Sequence, residues 1–208
     1  YQLAVLAAAV LVVRLYGRLT PRQIARSAFA VVTVGTLMLA VIVRYEWSDV
    51  SVVLGLMLVG LGQGALATLL FNVLVTSAPT EFAGDVGALR GTVSNLAAAV
   101  GTAVTGALVV GILSANIQRA LVDNPAIPPE LISRVDLDNV RFVSNDRLLD
   151  MMSRTTATPE QIDAALEINA DARIRALKVT FLLLTALGLL AFVPAGRLPD
   201  YKPDEVPG

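Results

Sequence analysis

From Val50 to Thr80 the chain carries no charged side chain, yet the run is interrupted by Gly55, Gly60, Gly62, Gly64, Gln63 and Asn72. A soluble core helix of ordinary length has no need for so long an uncharged run. A bilayer-crossing helix does, because about 20 mostly apolar residues span the hydrocarbon core. The small and polar residues inside the run then require partners other than lipid.

The rest of the chain repeats the pattern. Hydrophobic residues make up 55% and charged residues 16%, against roughly 25% charged in a soluble domain. Tyr1–Val13, Ser27–Val43, Gly91–Gln118 and Val179–Gly196 are also free of charge, while Ile117–Lys178 holds more than half of the charged residues. The net charge of −1 averages this segregation away. The one basic cluster, Arg14, Arg18, Arg22 and Arg26, lies between two apolar segments, so no nucleic-acid surface is expected. With no Cys and no His, disulfides, thiol nucleophiles, histidine bases and the usual zinc sites are excluded. Nothing supplies enzymatic chemistry, and no metal or cofactor is expected.

These runs predict an all-α membrane protein, a polytopic helical bundle. A first span ends near Val13; the others cover about Ser27–Val43, Val50–Thr76, Gly84–Ala115 and Ile174–Val193. Tyr1–Val13 has neither the basic region nor the cleavage site of a signal peptide. It reads as the end of a span from a longer protein, whose missing N-terminal helices become expected partners alongside the lipid bilayer. The domain reading is therefore spans in 1–116, an outer segment at 117–173, a last span at 174–194 and a tail at 195–208.

The loop around Arg14, Arg18 and Arg22 is short and has no acid, which places it in the cytoplasm. Thr20-Pro21 starts the next helix, with Thr as N-cap and Pro at the first helical position. Parity puts Arg44–Asp49 outside, Ser77–Asp85 inside, Ile117–Arg173 outside and the C-terminal tail inside a cell membrane. Arg90, Arg197 and Lys202 agree; Arg173, Arg175 and Lys178, at the outer end of the last span, do not. Within the outer segment, Pro125, Pro128 and Pro129 break the helix, Asn145 opens a short helix over Asp146–Ser153, and Asn139–Ser144 alternates as an extended stretch. Thr158-Pro-Glu-Gln161 is a capping-box start, and helical spacing continues from there into the last span. The segment reads as an extracytoplasmic hairpin, either a connector or a lid.

Ser27–Val43 and Ile174–Val193 hold only Thr33, Thr36, Thr180 and Thr185 as mid-span polar groups, and Thr can bond its own helix backbone. The two spans between them differ. Gly60, Gly64, Thr68 and Asn72 recur every four residues, as do Ser94, Ala98, Thr102 and Gly106. Small residues at this period let helices approach closely, and Gly60, Gly64, Gly91 and Gly101 are expected packing positions. Gln63, Asn72 and Asn95 are carboxamides that hydrocarbon cannot satisfy; they are expected either to glue helices together or to line a polar cavity. No Asp or Glu stands at mid-span. Glu81, Asp85 and Arg90 are possible charges at the inner rim, with Arg90 able to pair with either acid.

Gly17-Arg18-Leu19-Thr20-Pro21-Arg22 resembles a degenerate loop motif of the major facilitator superfamily. Ala78-Pro79-Thr80-Glu81, Gly84-Asp-Val-Gly-Ala-Leu89 and Asn95-Leu-Ala-Ala-Ala-Val-Gly101 resemble the approach to the penultimate helix of its fourteen-helix drug:proton antiporters (EmrB/QacA type). Asn169–Leu177 and Pro194–Pro199 resemble the end of the same family. The resemblance implies a major facilitator fold, C-terminal half, working by alternating access with a small-molecule substrate and protons. It also implies that the spans bearing Gln63 and Asn95 line the cavity. The chain departs from the family in lacking an acid before Arg18, where Tyr16-Gly17 stands, and the antiporter signature belongs to a helix outside this sequence. Proton-coupled export of amphipathic compounds is the expectation. A facilitator-fold transporter of another solute, or a membrane scaffold binding a partner through its outer hairpin, remain alternatives.

Overall fold

The computed structural model describes residues 1–44, 50–76, 79–123, 143–198 and 200. Helices α1 (Gln2–Leu15), α2 (Pro21–Ile42) and α3 (Val50–Thr76) come first. A short 3-10 turn at Thr80–Phe82 leads into α4 (Ala83–Asp123). Then come α5 (Asn145–Ser153), α6 (Pro159–Leu190) and the single turn α7 (Phe192–Ala195). Among the described residues, four helical stretches are long and apolar enough to cross a membrane: Pro21–Ile42, Val50–Thr76, Gly84–Asp123 and Pro159–Ala195. Their outward faces are densely apolar, with Leu37, Val41, Val50, Leu89, Leu96, Leu187 and Leu190 all exposed. Contiguous apolar surface on this scale does not occur on a soluble monomer. The fold is that of a membrane-embedded helical protein.

The helix ends are set locally. Thr20 and Gln23 form a reciprocal capping box: Thr20 N–H donates to Gln23 Oε1 at 3.2 Å, and Gln23 N–H donates to Thr20 Oγ1 at 3.3 Å. Thr158 and Gln161 repeat it at the start of α6, at 3.1 and 3.3 Å. Each box satisfies two of the amide donors that a helix start leaves unpaired. At the start of α5 the cap is Ser144, one residue before the expected Asn145, with Arg147 N–H donating to its hydroxyl at 3.3 Å. α6 ends at Leu190 because Pro194 clashes with the carbonyl four residues back.

Two helices run further than their apolar runs. α4 continues to Asp123, and α6 begins at Pro159 rather than near Ile174. Hydropathy marks where a helix leaves lipid, whereas helical hydrogen bonding continues beyond that point; Pro159, at the first helical position, opens α6. At about 1.5 Å per residue, both helices exceed the ~30 Å hydrocarbon core. The proline-bearing and extended stretches expected at 125–142 lie outside the described residues, as do Tyr45–Asp49 and Lys202.

The chain forms two compact units: residues 1–42, 46–101 and 181–208 make one, and 43–45 with 102–180 the other. In the first unit α3 is a wedge between α1 and α2. Successive helical residues turn by about 100°, so Gly60, Gly62 and Gly64 alternate between nearly opposite faces. A Cβ on Gly60 would lie 2.9 Å from the Tyr1 carbonyl, and one on Gly64 2.9 Å from Val5 Cα; both face α1. A Cβ on Gly62 would lie 2.7 Å from the Ala28 carbonyl, and one on Gly55 2.8 Å from Leu39; both face α2. At the end of the bundle holding the arginine loop, Val12, Ile24, Ala25, Leu69 and Ala195 close together, while Leu39 and Val52 are buried towards the other end.

In the second unit the C-terminal part of α4 packs on the N-terminal part of α6. Leu113 meets Ala172 and Ala176, and Leu121 meets Ile168. The buried Asn169 fixes the chain leading into α5: its amide donates to the Val143 carbonyl at 3.0 Å and to Asn145 Oδ1 at 2.7 Å.

Candidate functional site

The polar residues within the spans divide between two settings. Thr33, Thr36 and Thr185 are buried. Thr36 and Thr185 bond their own helix carbonyls, and they also reach each other at 3.0 Å, joining α2 to α6. Beside them Gly188 stands against Thr33, where a Cβ would strike the hydroxyl. The contact between these helices is thus made by small and hydroxyl-bearing residues, the kind that bind helices inside a membrane. From sequence, these threonines had only their own backbone as a partner; the link across helices comes from the packing.

Gln63 lies on the exposed side of α3, where its Oε1 accepts from the Tyr1 hydroxyl of α1. Asn72 is half-buried one helical stretch further along, and its backbone carbonyl accepts from the Thr76 hydroxyl at 2.8 Å. Asn95 is exposed on α4, within a stretch from Gly91 to Val104 in which every residue is exposed. No atom lies within 4 Å of a Cβ built on Gly91 or Gly101, whereas Gly60 and Gly64 are closely covered by α1.

At the end of the bundle with the arginine loop, Asp200 meets the start of α2. Asp200 accepts from Thr20 Oγ1 at 2.9 Å and from Arg22 Nη1 at 3.1 Å. The Thr20 hydroxyl therefore serves twice, accepting from the Gln23 amide and donating to the tail. The hydrogen bond from Thr20, then that from Arg22, then the charges of Arg22 and Arg26, hold the Asp200 carboxyl below its ordinary value of 3.8. Nothing in the sequence spacing marks Asp200; it is found only by folding. Arg14 and Arg18 are exposed, and Arg14 stands in the last turn of α1, where the helix dipole favours a cation. Arg90 sets its guanidinium 4.7 Å from the Phe71 ring centroid, a cation–π distance. Glu81 and Asp85 are exposed. Arg22 pairs with Asp200 and Arg154 with Asp150.

No protein-family model, curated protein or solved structure matches the chain. The class that the structure itself defines is a helical membrane protein with four helices long enough to span.

Proposed function

We propose that the chain is part of a transporter of the major facilitator type, exporting amphipathic organic compounds in exchange for protons by alternating access. The observation that carries this reading is the exposed, uncharged stretch of α4 bearing Ser94 and Asn95. A carboxamide left in hydrocarbon costs several kcal/mol, so this face belongs against water or another polar helix. A path for solute supplies both. Gln63 and Asn72 are the carboxamides of α3, whose glycines Gly55, Gly60, Gly62 and Gly64 pack it against α1 and α2. Arg22 and Asp200 share one end of the bundle, which supports a cytoplasmic loop and tail; on the same reading residues 117–173 form the extracytoplasmic hairpin. The spans contain no mid-membrane carboxylate, so the titratable group that proton coupling needs comes from elsewhere in the assembly.

Full-length protein in proteoliposomes tests this. Efflux of a cationic dye is expected under a proton gradient and is expected to stop when the gradient is collapsed. Asn95→Leu removes one polar contact, worth about 1 kcal/mol, and is expected to slow efflux roughly five-fold. Efflux indifferent to the gradient sinks proton coupling, and efflux unchanged in Asn95→Leu removes α4 from the path.

A further inference from the structure

Within the second unit α4 and α6 border a groove of about 440 Å³. α6 lines it with Arg175, Lys178 and Val179; α4 lines it with Ile112 and, further out, Asn116 and Arg119. Among the described residues, none of the three cations makes an ion pair or a side-chain hydrogen bond.

The charge-free run of α6 begins immediately after Lys178. Lys178, with Arg175 one turn behind it, therefore marks where this helix passes from water into hydrocarbon. Leu113 packs on Ala172 and Ala176, and Leu121 on Ile168, so the two helices are antiparallel. That register sets Arg175 level with Leu113, and Arg119 about two turns further out. Helical side chains lean toward the N-terminus of their own helix. Arg119 accordingly leans inward toward Asn116, while Arg175 and Lys178 lean outward toward it, and cations from different levels come to line one groove. Asp123, Glu167 and Asp171 line the neighbouring groove. Glu167 and Asp171 lean outward in the same way as Arg175, and Asp123 stands a turn beyond Arg119, so the side chains at the hydrocarbon boundary are the cations. Inward of them Leu108, Val110 and Val179 are exposed and apolar.

We propose that this groove holds an anionic glycerophospholipid of the surrounding bilayer. Its phosphate lies between Arg175 and Lys178, the end of its headgroup points toward Asn116 and Arg119, and its acyl chains run along Leu108, Val110 and Val179. Basic pockets between spans at a membrane boundary suit acidic headgroups. The passage from cations to apolar surface along one line suits a lipid rather than a free anion. A zwitterionic headgroup would bring a further cation into a groove that already holds three. The inference rests on α4 and α6 being embedded in a bilayer and not on what the protein transports.

Native mass spectrometry of the detergent-purified full-length protein tests it, with phosphatidylglycerol, phosphatidylethanolamine, phosphatidylcholine and inorganic phosphate as separate probes. Phosphatidylglycerol is expected to be retained most strongly, the two zwitterionic lipids weakly and inorganic phosphate not at all. Arg175→Gln and Lys178→Gln are each expected to weaken phosphatidylglycerol retention roughly five-fold. Arg147→Gln, at an exposed position of α5 outside the groove, is expected to change nothing. Equal retention of the three lipids, an equal loss in Arg147→Gln, or retention unmoved by Arg175→Gln in protein that elutes and melts like wild type overturns the proposal. Retention of inorganic phosphate as strong as that of phosphatidylglycerol overturns the assignment to a lipid. If Lys178→Gln, at a half-buried position, fails to fold, Arg175→Gln and Arg119→Gln, both at exposed positions, carry the same test.

Discussion

Arg22 and Asp200 lie at opposite ends of the sequence, yet their side chains meet at 3.1 Å beside the first turn of α2. The Thr20 hydroxyl joins the same carboxylate, so the tail is tied to the arginine loop by one charged and one neutral donor. Such a link is partly exposed and screened by salt. Its consequence is therefore order in the tail rather than stability of the bundle. Asp200→Asn is expected to leave thermal unfolding unchanged and to increase proteolytic cutting of the tail.

The same clasp has a defined pH dependence. The folded-state carboxyl lies below its ordinary value of 3.8, so the stabilising contribution is fully present above that value. It is lost only as pH falls through the lower folded-state value. Tail mobility, followed by a spin label near Asp200, is expected to stay flat from neutral pH through pH 5 and to rise only below the ordinary carboxylate range. A rise centred near pH 6 contradicts the assignment of the clasp to this carboxylate.

The glycines of α3 and α4 respond differently to the same substitution. Gly62→Ala or Gly64→Ala puts a methyl into the backbone of α2 or α1 and is expected to cost about 1–3 kcal/mol by overpacking. Gly101→Ala meets open space within this chain. It is expected to be neutral or to stabilise α4 by up to about 1 kcal/mol through helix propensity. Unfolding of the purified chain in mixed micelles measures both.

Thr36 and Thr185 bridge α2 and α6 at 3.0 Å. Each hydroxyl has a single proton, so when one donates to its own helix the other is left to donate across. A double-mutant cycle of Thr36→Val and Thr185→Val is expected to give a coupling of about 0.6 kcal/mol, the usual worth of such bonds in membrane bundles. A coupling of zero shows that the hydroxyls serve only their own backbones.

Asn169 is buried, and its amide satisfies the Val143 carbonyl and Asn145 Oδ1 at once. Asn169→Leu leaves both acceptors without this donor and is expected to cost about 1–3 kcal/mol. Hydrogen exchange is expected to show faster opening of α5, with α2 and α3 unaffected.

The helices were legible in the sequence to a degree that follows from their causes. Thr20 and Thr158 announce helix starts because a cap is made within four residues; the box at Thr158 forms as spaced, and Thr20, read as a simple N-cap, makes a second box with Gln23. The charge-free runs mark the spans because lipid excludes charge, yet they understate α4 and α6, whose helical hydrogen bonding continues beyond the apolar stretch. The glycines of α3 were legible as small, but not as two sets serving different neighbours. Gln63 was legible as needing a partner, and its partner at Tyr1 was not.

By itself, then, the sequence determined that this chain is helical, where its helices begin, and that its spans belong in a membrane. Each of those properties is fixed by residues within a turn or two of one another, or by composition over about 20 residues. The tertiary structure alone decided which faces meet: Gly62 on Ala28, Gly64 on Val5, Thr185 on Thr36, Asp200 on Arg22. It also decided that Arg119 shares a groove with Arg175 and Lys178. These depend on the angle at which one helix lies against another, and the 3.6-residue period that sets a stripe says nothing about what the stripe will face.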